Sequence, residues 1–279
     1  MQQGLYSSIH VIALLTDFGL RDGYIGALKG VMLGIDPQVH LIDITHDILP
    51  QDIAAAAWVL RTSYRYFPMG TVYTCVVDPG VGSTRRPIAM HAGDWFFVGP
   101  DNGLFSYILT EQTIDEAVVL SNPVYHLPQV SATFQGRDLF APVAAHLARG
   151  VALRDLGMPI DPSSLKFLDF KHASRHNGLV EAQIVYIDHF GNLITNIPAS
   201  MVTDLFSCAS IQLTISVRKI IVTQRRRFFA DNNAQGELAA HPFVYVDSAD
   251  YIGVAIQNGN AATTLDVHIG DAVTLALES

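Results

Sequence analysis

The 279-residue sequence has few features of secreted, membrane-bound or nucleic-acid-binding proteins. Its two cysteines, Cys75 and Cys208, are too few for a disulfide framework. Its apolar runs are strand-sized and broken by polar residues, so they are too short to span a membrane. The formal net charge of −9 disfavours general nucleic-acid binding. No basic segment followed by an apolar one marks a signal peptide, and we expect a cytoplasmic protein.

Common cofactor and catalytic motifs are also missing. No G-x-G-x-x-G fingerprint follows the first apolar run, and residues 80–83 lack the spacing and the lysine of a P-loop. No G-x-S-x-G elbow is present. Asp43, His46 and Asp47 do not form a closed set of metal ligands. We therefore expect no bound metal and no ordinary NAD or ATP site.

The first half of the chain alternates between strand and helix patterns. Apolar runs at 9–15, 39–44 and 72–77 predict buried strands, and helical segments are predicted at 22–34 and from Asp52 to about Arg61. This βαβαβ alternation predicts an α/β domain with a parallel, doubly wound sheet. Two short strands in a hairpin-like excursion and a helix over 139–148 follow.

The second half has a different pattern, with short apolar segments separated by Gly, Asn and Asp. These segments lie at 179–187, 192–197, 211–222, 242–246, 252–256 and 272–277. They predict a small antiparallel β-barrel or sandwich. We expect an α/β domain over residues 1–160, a linker over 161–178, and a β domain over 179–279.

Carboxylates lie at the ends of three of the predicted strands, at Asp17, Asp43 and Asp78. Ligands bind at the carboxyl ends of strands in open α/β sheets, where a carboxylate commonly accepts hydrogen bonds from a ribose diol. The other interpretation is that each Asp caps a helix. We favour capping for Asp43. For Asp17 and Asp78 we favour function, because neighbouring glycines permit close approach of a ligand. Taken alone, the stretch from Val76 to Arg86 could equally be a tight turn with solvated arginines.

The β domain offers one further candidate, the segment Asp188 to Asn192. It predicts either a simple hairpin or a loop in which Phe190 stacks on a ring. The basic cluster at 225–227 is interpreted as a solvated turn or an oligomer contact. Ser248 and residues 259–262 are ambiguous on their own.

Six separated stretches resemble the S-adenosyl-L-methionine (SAM) hydroxide adenosyltransferases, the SAM hydrolases related to the fluorinase and chlorinase enzymes. They are 15–24, 43–47, 76–86, 99–103, 133–142 and 188–196, in the order that the family has them. The resemblance implies a Rossmann-like N-terminal domain, a C-terminal antiparallel β-barrel, and a homotrimer that binds SAM between subunits. It also implies that SAM is the substrate, with adenosine and L-methionine as products and no cofactor.

The resemblance assigns roles to individual residues. Asp17 matches the residue that binds the ribose diol, and Asp22 belongs to the same substrate-binding stretch. Asp188 and Ser248 match residues that hold the methionine end of SAM. Phe190, Asn192 and the backbone near Asn258 match the family's adenine contacts. Asp78 and Arg85 match two members of a water-activating Asp-Arg-His trio.

The third member of the trio differs in this chain, because Gln135 stands where the family has His. Glutamine can donate and accept hydrogen bonds but does not titrate. A SAM- or adenosine-binding protein with little turnover therefore stays open as an alternative, as does adenosyl transfer to another small nucleophile such as halide. The halogenating relatives carry Tyr at the position of Asp78, and a carboxylate there favours water over a halide ion.

Overall fold

A computed structural model describes residues 10–231 and 241–278. The chain divides into two compact units, with the boundary between Leu168 and Asp169. This boundary falls inside the segment predicted as a linker. That segment contains a 3₁₀ turn at Pro162–Ser164 and the short strand Ser174–His176. No helix in the described parts of the chain is long and apolar enough to cross a membrane.

The first unit contains the elements that were predicted from the alternating pattern, with a few additions. In chain order they are β1 Val11–Thr16, α1 Tyr24–Ile35, β2 His40–Thr45, α2 Ile53–Ser63, β3 Val72–Val76, β4 Pro87–Ala92, β5 Trp95–Pro100, α3 Ser106–Glu111, β6 Ile114–Val119, α4 Ala141–Ala148 and β7 Met158–Pro159. A π-helical turn, Gly136–Phe140, leads directly into α4.

The sheet of the first unit is mixed, in the order β2-β1-β3-β5-β4-β6-β7. The predicted parallel arrangement is confirmed for β2, β1, β3 and β5. The expected parallel sheet is wrong beyond these strands, because β4, β6 and β7 pair antiparallel. The predicted hairpin-like excursion is confirmed by β4 and β5, whose two-residue connection can join only antiparallel strands.

Helices cover this sheet through apolar contacts. Ile12 and Leu14 of β1 belong to one buried cluster with Leu28 and Met32 of α1 and with the apolar residues of α4. Alternate side chains of a strand point to opposite faces, so these two residues identify the face that α1 and α4 cover. Asp52 caps α2 by accepting a hydrogen bond of 2.9 Å from the backbone N–H of Ala55, as predicted.

The second unit is built around a nine-stranded sheet that is nearly closed and barrel-like. Its elements are β8 Ser174–His176, β9 Leu179–Ile187, β10 Leu193–Pro198, β11 Ser210–Ile215, β12 Ile220–Val222, β13 Gln224–Arg225, β14 Pro242–Val246, β15 Tyr251–Ile256, α5 Ala261–Leu265 and β16 Ala272–Glu278. The strand order is β12-β11-β16-β9-β10-β15-β14-β13, with β8 on β9. The pairs are antiparallel except for β13 and β14. Contacts between β12 and β14 bring the two ends of the sheet together.

Candidate active site

The first unit places two of the predicted carboxylates side by side at the end of its sheet. The chain runs from β1 to β2 on one side and then returns to β3 on the other side of β1. This reversal of strand order leaves a crevice at the carboxyl ends, where α/β proteins bind ligands. Thr16 of β1 is in register with Val76 of β3. Asp17 and Asp78 therefore emerge next to each other.

A cavity of about 270 Å³ lies at this crevice. It is lined by Asp17, Phe18, Gln51, Val76, Asp78, Pro79, Val81, Thr133, Phe134, Gln135 and Gly136. The charged members of this lining are both carboxylates, Asp17 and Asp78. The cavity therefore suits a ligand that carries positive charge and hydroxyl groups.

Asp17 does not cap a helix. Its Oδ2 accepts a hydrogen bond of 2.8 Å from the backbone N–H of Gln51, a residue with a positive φ of 70°. The loop after β1 is also bound to the end of β2, because Gly19 donates its backbone N–H to the carbonyl of His46 at 2.8 Å. These bonds fix the Asp17 carboxylate while leaving Oδ1 available to a ligand hydroxyl.

Asp78 forms a close ion pair with Arg85, and Arg85 also binds Gln135. Arg85 Nε lies 3.0 Å from Asp78 Oδ1 and 2.9 Å from Oδ2. Arg85 Nη2 donates to Asp78 Oδ2 and to Gln135 Oε1. The side chains of Asp78 and Arg85 are only 6% and 10% exposed. The structure thus brings together all three residues of the predicted catalytic group.

The turn that carries Asp78 and Arg85 depends on glycine and on one amide. Gly82 has a φ of +79°, and a Cβ atom there would lie 2.7 Å from the carbonyl oxygen of Ala132. Asn102 donates its side-chain amide to the carbonyl of Val77 at 2.8 Å and so fixes the end of the strand. Through this close packing, the segments 76–86, 99–103 and 133–142, which are distant in sequence, form one site.

Gln135 is positioned by the π-helical turn that follows it. Gly136 permits this turn to approach the loop after β1, since a Cβ there would lie 3.2 Å from the ring of Phe18. Asp138 in the turn is fully buried, and it binds the N–H of Ser131 at 2.8 Å and Arg137 Nε at 2.6 Å. Burial raises the pKa of Asp138, but the hydrogen bonds from Arg137 and Ser131 lower that pKa more, so it lies below its ordinary value. Asp138 therefore stays charged and holds the turn in place.

Asp43 has a structural role, but it is not the predicted helix cap. Its Oδ2 lies 2.6 Å from Lys29 Nζ, and its Oδ1 lies 3.1 Å from His46 Nε2. Capping was the wrong interpretation because Asp43 is still inside β2, and its side chain reaches α1 instead. The pKa of Asp43 is raised by burial but lowered further by the bonds to Lys29 and His46, so the net shift is downward.

The second unit has its own cavity, of about 580 Å³, at the ends of β10 and β15. Three predicted residues line it: Phe190, Asn192 and Asn258. Phe190 is 72% exposed, so its ring is available for stacking. Phe229 also lines the cavity, and sequence analysis did not identify it because it follows the basic cluster without any motif.

Asp188 organises the loop next to this cavity. Its Oδ1 accepts hydrogen bonds from the backbone N–H groups of Phe190 and Asn192 at 2.9 and 2.8 Å, and its Oδ2 accepts from the Asn192 amide at 2.8 Å. Gly191 has a φ of +81°, and a Cβ there would lie 2.1 Å from Cγ of Asn260. The loop is therefore a preformed support for Phe190, and Asn260 is a further residue on which its shape depends.

Three predicted binding residues lie outside the linings of these cavities: Asp188, which supports the loop beside the cavity of the second unit, Asp22 and Ser248. Asp22 is exposed just before α1, whose N-cap is Gly23, and Ser248 is exposed in the turn between β14 and β15.

The interpretation of the basic cluster at 225–227 as a solvated turn is wrong for Arg226, which is 3% exposed. Its guanidinium lies 4.3 Å from the ring centroid of Phe243 and donates to Gln257 Oε1 at 2.8 Å.

Comparison with known proteins matches both units of the chain to one family. Residues 12–157 match the SAM hydroxide adenosyltransferase N-terminal domain, and residues 182–274 match the corresponding C-terminal domain. A Salinispora arenicola protein named (R)-S-adenosyl-L-methionine hydrolase is 38% identical over 261 residues, which cover 93% of this chain and 95% of the relative. A Thermus thermophilus protein of the same name is 34% identical over 272 residues, covering 95% and 98%.

More distant relatives and a solved structure agree with this match. An Actinoplanes fluorinase is 27% identical over 292 residues, covering 95% of this chain and 97% of the fluorinase. The crystal structure of an uncharacterized conserved protein from Thermotoga maritima superposes with a TM-score of 0.87 at 32% identity. It covers 95% of this chain and 99% of that protein. With both domains matched and relatives above 30% identity along nearly the whole chain, the protein belongs to the SAM hydroxide adenosyltransferase family.

Proposed function

We propose that this protein hydrolyses (R)-S-adenosyl-L-methionine to adenosine and L-methionine. The observation that supports this most directly is the buried Asp78–Arg85 pair, with Gln135, beside a cavity that also presents Asp17. The names of the relatives at 34–39% identity support the same substrate and reaction.

The charge of the cavity fits the substrate. The sulfonium centre of SAM is cationic, and the cavity presents to it the carboxylate of Asp17, whereas the charge of Asp78 is already paired with Arg85. Asp17, held by the Gln51 backbone, would accept hydrogen bonds from the ribose diol through its available oxygen. The same carboxylates would repel a halide ion, which favours water as the nucleophile.

The reaction needs no acid to expel the leaving group. The oxygen of a water attacks C5′ of the ribose, the C5′–S bond breaks, and its electron pair neutralises the sulfonium to give the thioether of L-methionine. One proton of the water passes to Asp78 and then to solvent. A positioned base of this kind contributes about 10²–10⁴ in rate, and in-line placement of the water contributes further.

Arg85 and Gln135 would position this base. Arg85 donates hydrogen bonds to both oxygens of Asp78, and these bonds hold the carboxylate in one orientation. Gln135 presents Oε1 to Arg85, since a guanidinium can only donate, and its amide nitrogen remains a donor for the water or the ribose. Gln135 therefore keeps the hydrogen-bonding part of the family histidine without its titration.

We further infer that the active molecule is a cytoplasmic homotrimer with shared sites. The residues suited to the ribose and the water belong to the first unit, whereas those suited to the adenine belong to the second. We interpret the two units as the Rossmann-like and β-barrel domains of the family. Light scattering together with SAM titration tests the assembly, and a monomer that binds SAM with full affinity would contradict it.

The decisive experiment is incubation of the protein with each sulfonium epimer of SAM, followed by chromatography for adenosine and L-methionine. We expect both products in equal amounts from the (R) epimer. Parallel reactions with added chloride, bromide or iodide test halide transfer, where a 5′-halogenated adenosine would appear instead. Tight binding of SAM without products would identify a binding protein and overturn the proposal.

A further inference from the structure

A second polar cavity of the first unit lies beside Arg85, away from the proposed substrate. It measures about 560 Å³, and its lining includes Ser83, Thr84, Arg85, Arg86, Ser164 and Lys166. None of the roles proposed for SAM hydrolysis uses this cavity. Its cationic side chains, Arg85, Arg86 and Lys166, are the kind of donor with which proteins bind oxyanions. Of its three hydroxyl groups, Ser83 Oγ and Ser164 Oγ already donate to the carbonyls of Gly80 and Asp161, so Thr84 offers the hydroxyl donor for a ligand.

Arg85 is part of the wall between this cavity and the proposed active site. Arg85 lines the second cavity, whereas its partners Asp78 and Gln135 line the first. Its hydrogen bonds to these partners use Nε and Nη2. A guanidinium has five N–H donors, and Nη1 makes no hydrogen bond to any residue in the described parts of the chain. Arg85 therefore has donors left for a ligand on the other side.

The single carboxylate that lines the second cavity, Asp101, is already neutralised. Its Oδ2 accepts a hydrogen bond of 2.8 Å from Arg86 Nε, and its Oδ1 accepts one of 2.7 Å from the backbone N–H of Lys166. Arg86 is also held by Ser164 Oγ at 3.0 Å. The ammonium group of Lys166 belongs to an exposed residue. With Arg86 paired to Asp101 and Arg85 paired to Asp78, Lys166 supplies the uncompensated positive charge of this lining.

We propose that this second cavity binds a small oxyanion, and that the bound anion influences turnover through Arg85. The anion would contact Arg85 Nη1 and Lys166, with the hydroxyl group of Thr84 completing its coordination. Phosphate and a free carboxylate share this chemistry. Because Arg85 also orients Asp78 and Gln135, an anion on Nη1 competes for the charge that holds the proposed base. The site adds an effector to the proposed hydrolase and is not required for the reaction.

The binding part is tested by calorimetric titration of the intact protein with sodium phosphate and, separately, with sodium acetate, at constant ionic strength and without SAM. We expect saturable binding of at least one anion, and the tighter one identifies the class. Lys166→Gln removes one charge from the cavity and should weaken binding about two- to fivefold, as expected for an exposed ion pair. Lys171→Gln makes the same charge change on an exposed lysine outside the cavity and should leave binding unchanged.

Two results would overturn the binding site: no saturable binding of either anion, or equal weakening in the two lysine variants. Matching thermal unfolding of both variants and the parent excludes misfolding as a cause.

The influence on turnover is tested by titrating the tighter anion into the SAM assay. We expect a saturable change in adenosine release whose midpoint rises by the same factor in Lys166→Gln, and a flat response would overturn the coupling. Because the calorimetry uses no SAM, its result does not depend on the proposed hydrolysis.

Discussion

The two units of this protein form their cavities from different kinds of side chain. The cavity of the first unit, lined by Asp17, Asp78 and Gln135, lies at the ends of buried parallel strands. The cavity of the second unit has Phe190, Phe229 and Asn192 in its lining, and Phe190 is largely exposed. One cavity therefore presents charge held in a fixed geometry, and the other presents ring faces and amide groups.

This difference assigns different tasks to the two regions. Electrostatic stabilisation is strongest where groups are fixed and shielded from water, as for Asp78 and Arg85. Aromatic stacking needs an accessible ring face and little charge. Substitutions in the first cavity should therefore change the rate or the binding of the ribose, whereas substitutions in the second should change affinity alone.

The largest expected effect comes from removing the proposed base. Asp78→Ala should reduce adenosine formation by about 10²–10⁴-fold, the usual contribution of a positioned base. SAM affinity should change little, because Asp78 contacts the nucleophile. Single-turnover release of adenosine measures the rate, and calorimetry measures the affinity. Unchanged turnover in this variant would falsify the mechanism and require another group to activate the water.

The next effect separates two carboxylates at neighbouring strand ends. Asp17→Ala should weaken SAM binding about 10- to 100-fold, because it removes hydrogen bonds to a charged group. Asp43→Ala is the matched control, since Asp43 binds Lys29 and His46 and does not line the cavity. Calorimetric titration of both variants with SAM measures the difference. Equal losses of SAM affinity would show that Asp17 contributes no more to binding the ribose than Asp43 does.

A smaller effect tests the aromatic cavity. Phe190→Leu keeps an apolar side chain but removes the ring face, so SAM binding should weaken about two- to tenfold, while kcat is unchanged. Phe228→Leu is the control, because Phe228 is exposed at 58% but does not line the cavity. A fall in kcat for Phe190→Leu, or equal losses in the two variants, would contradict the division of tasks.

Sequence reasoning predicted the charged cavity better than the aromatic one, for a physical reason. Asp17 and Asp78 each follow an apolar strand, and parallel strands end at the same edge of a sheet, so their proximity follows from the pattern alone. The buried position of Arg226 and the place of Phe229 depend on contacts between strands distant in sequence. No local pattern contains that information.

The same limit applies inside the first unit. The hairpin of β4 and β5 was predicted, but the antiparallel pairing of β6 and β7 depends on contacts between strands distant in sequence, which the apolar pattern does not encode. The π-helical turn after Gln135 was not predicted either, because one of the bonds that hold it, from the Ser131 N–H to the Asp138 carboxylate, is made with a preceding loop. Asp43 was misassigned because its partner Lys29 lies on a different element.

The smallest expected effect concerns Gln135, and it distinguishes the proposed hydrolase from a binding protein. Gln135→His replaces an amide that cannot titrate with an imidazole that can accept from Arg85 through one nitrogen and donate through the other. We expect kcat to rise by about tenfold or less, that is, by up to about 1.4 kcal/mol in the barrier, with KM nearly unchanged. Gln135→Leu should lower kcat, because leucine can neither accept a hydrogen bond from Arg85 nor donate one.

The pH dependence of this gain identifies its cause. An ordinary histidine has a pKa of about 6.5, and a protonated imidazole cannot accept a hydrogen bond from Arg85. The gain in Gln135→His should therefore be present above that pH and disappear as the pH falls through it, because protonation places a second cation beside Arg85. The parent protein should show no such step from this position. Adenosine release by the parent and both variants, measured from pH 5 to pH 9 in single turnovers, tests this. A gain that persists at pH 5, or no gain at any pH, would mean that Gln135 is not a hydrogen-bonding substitute for histidine.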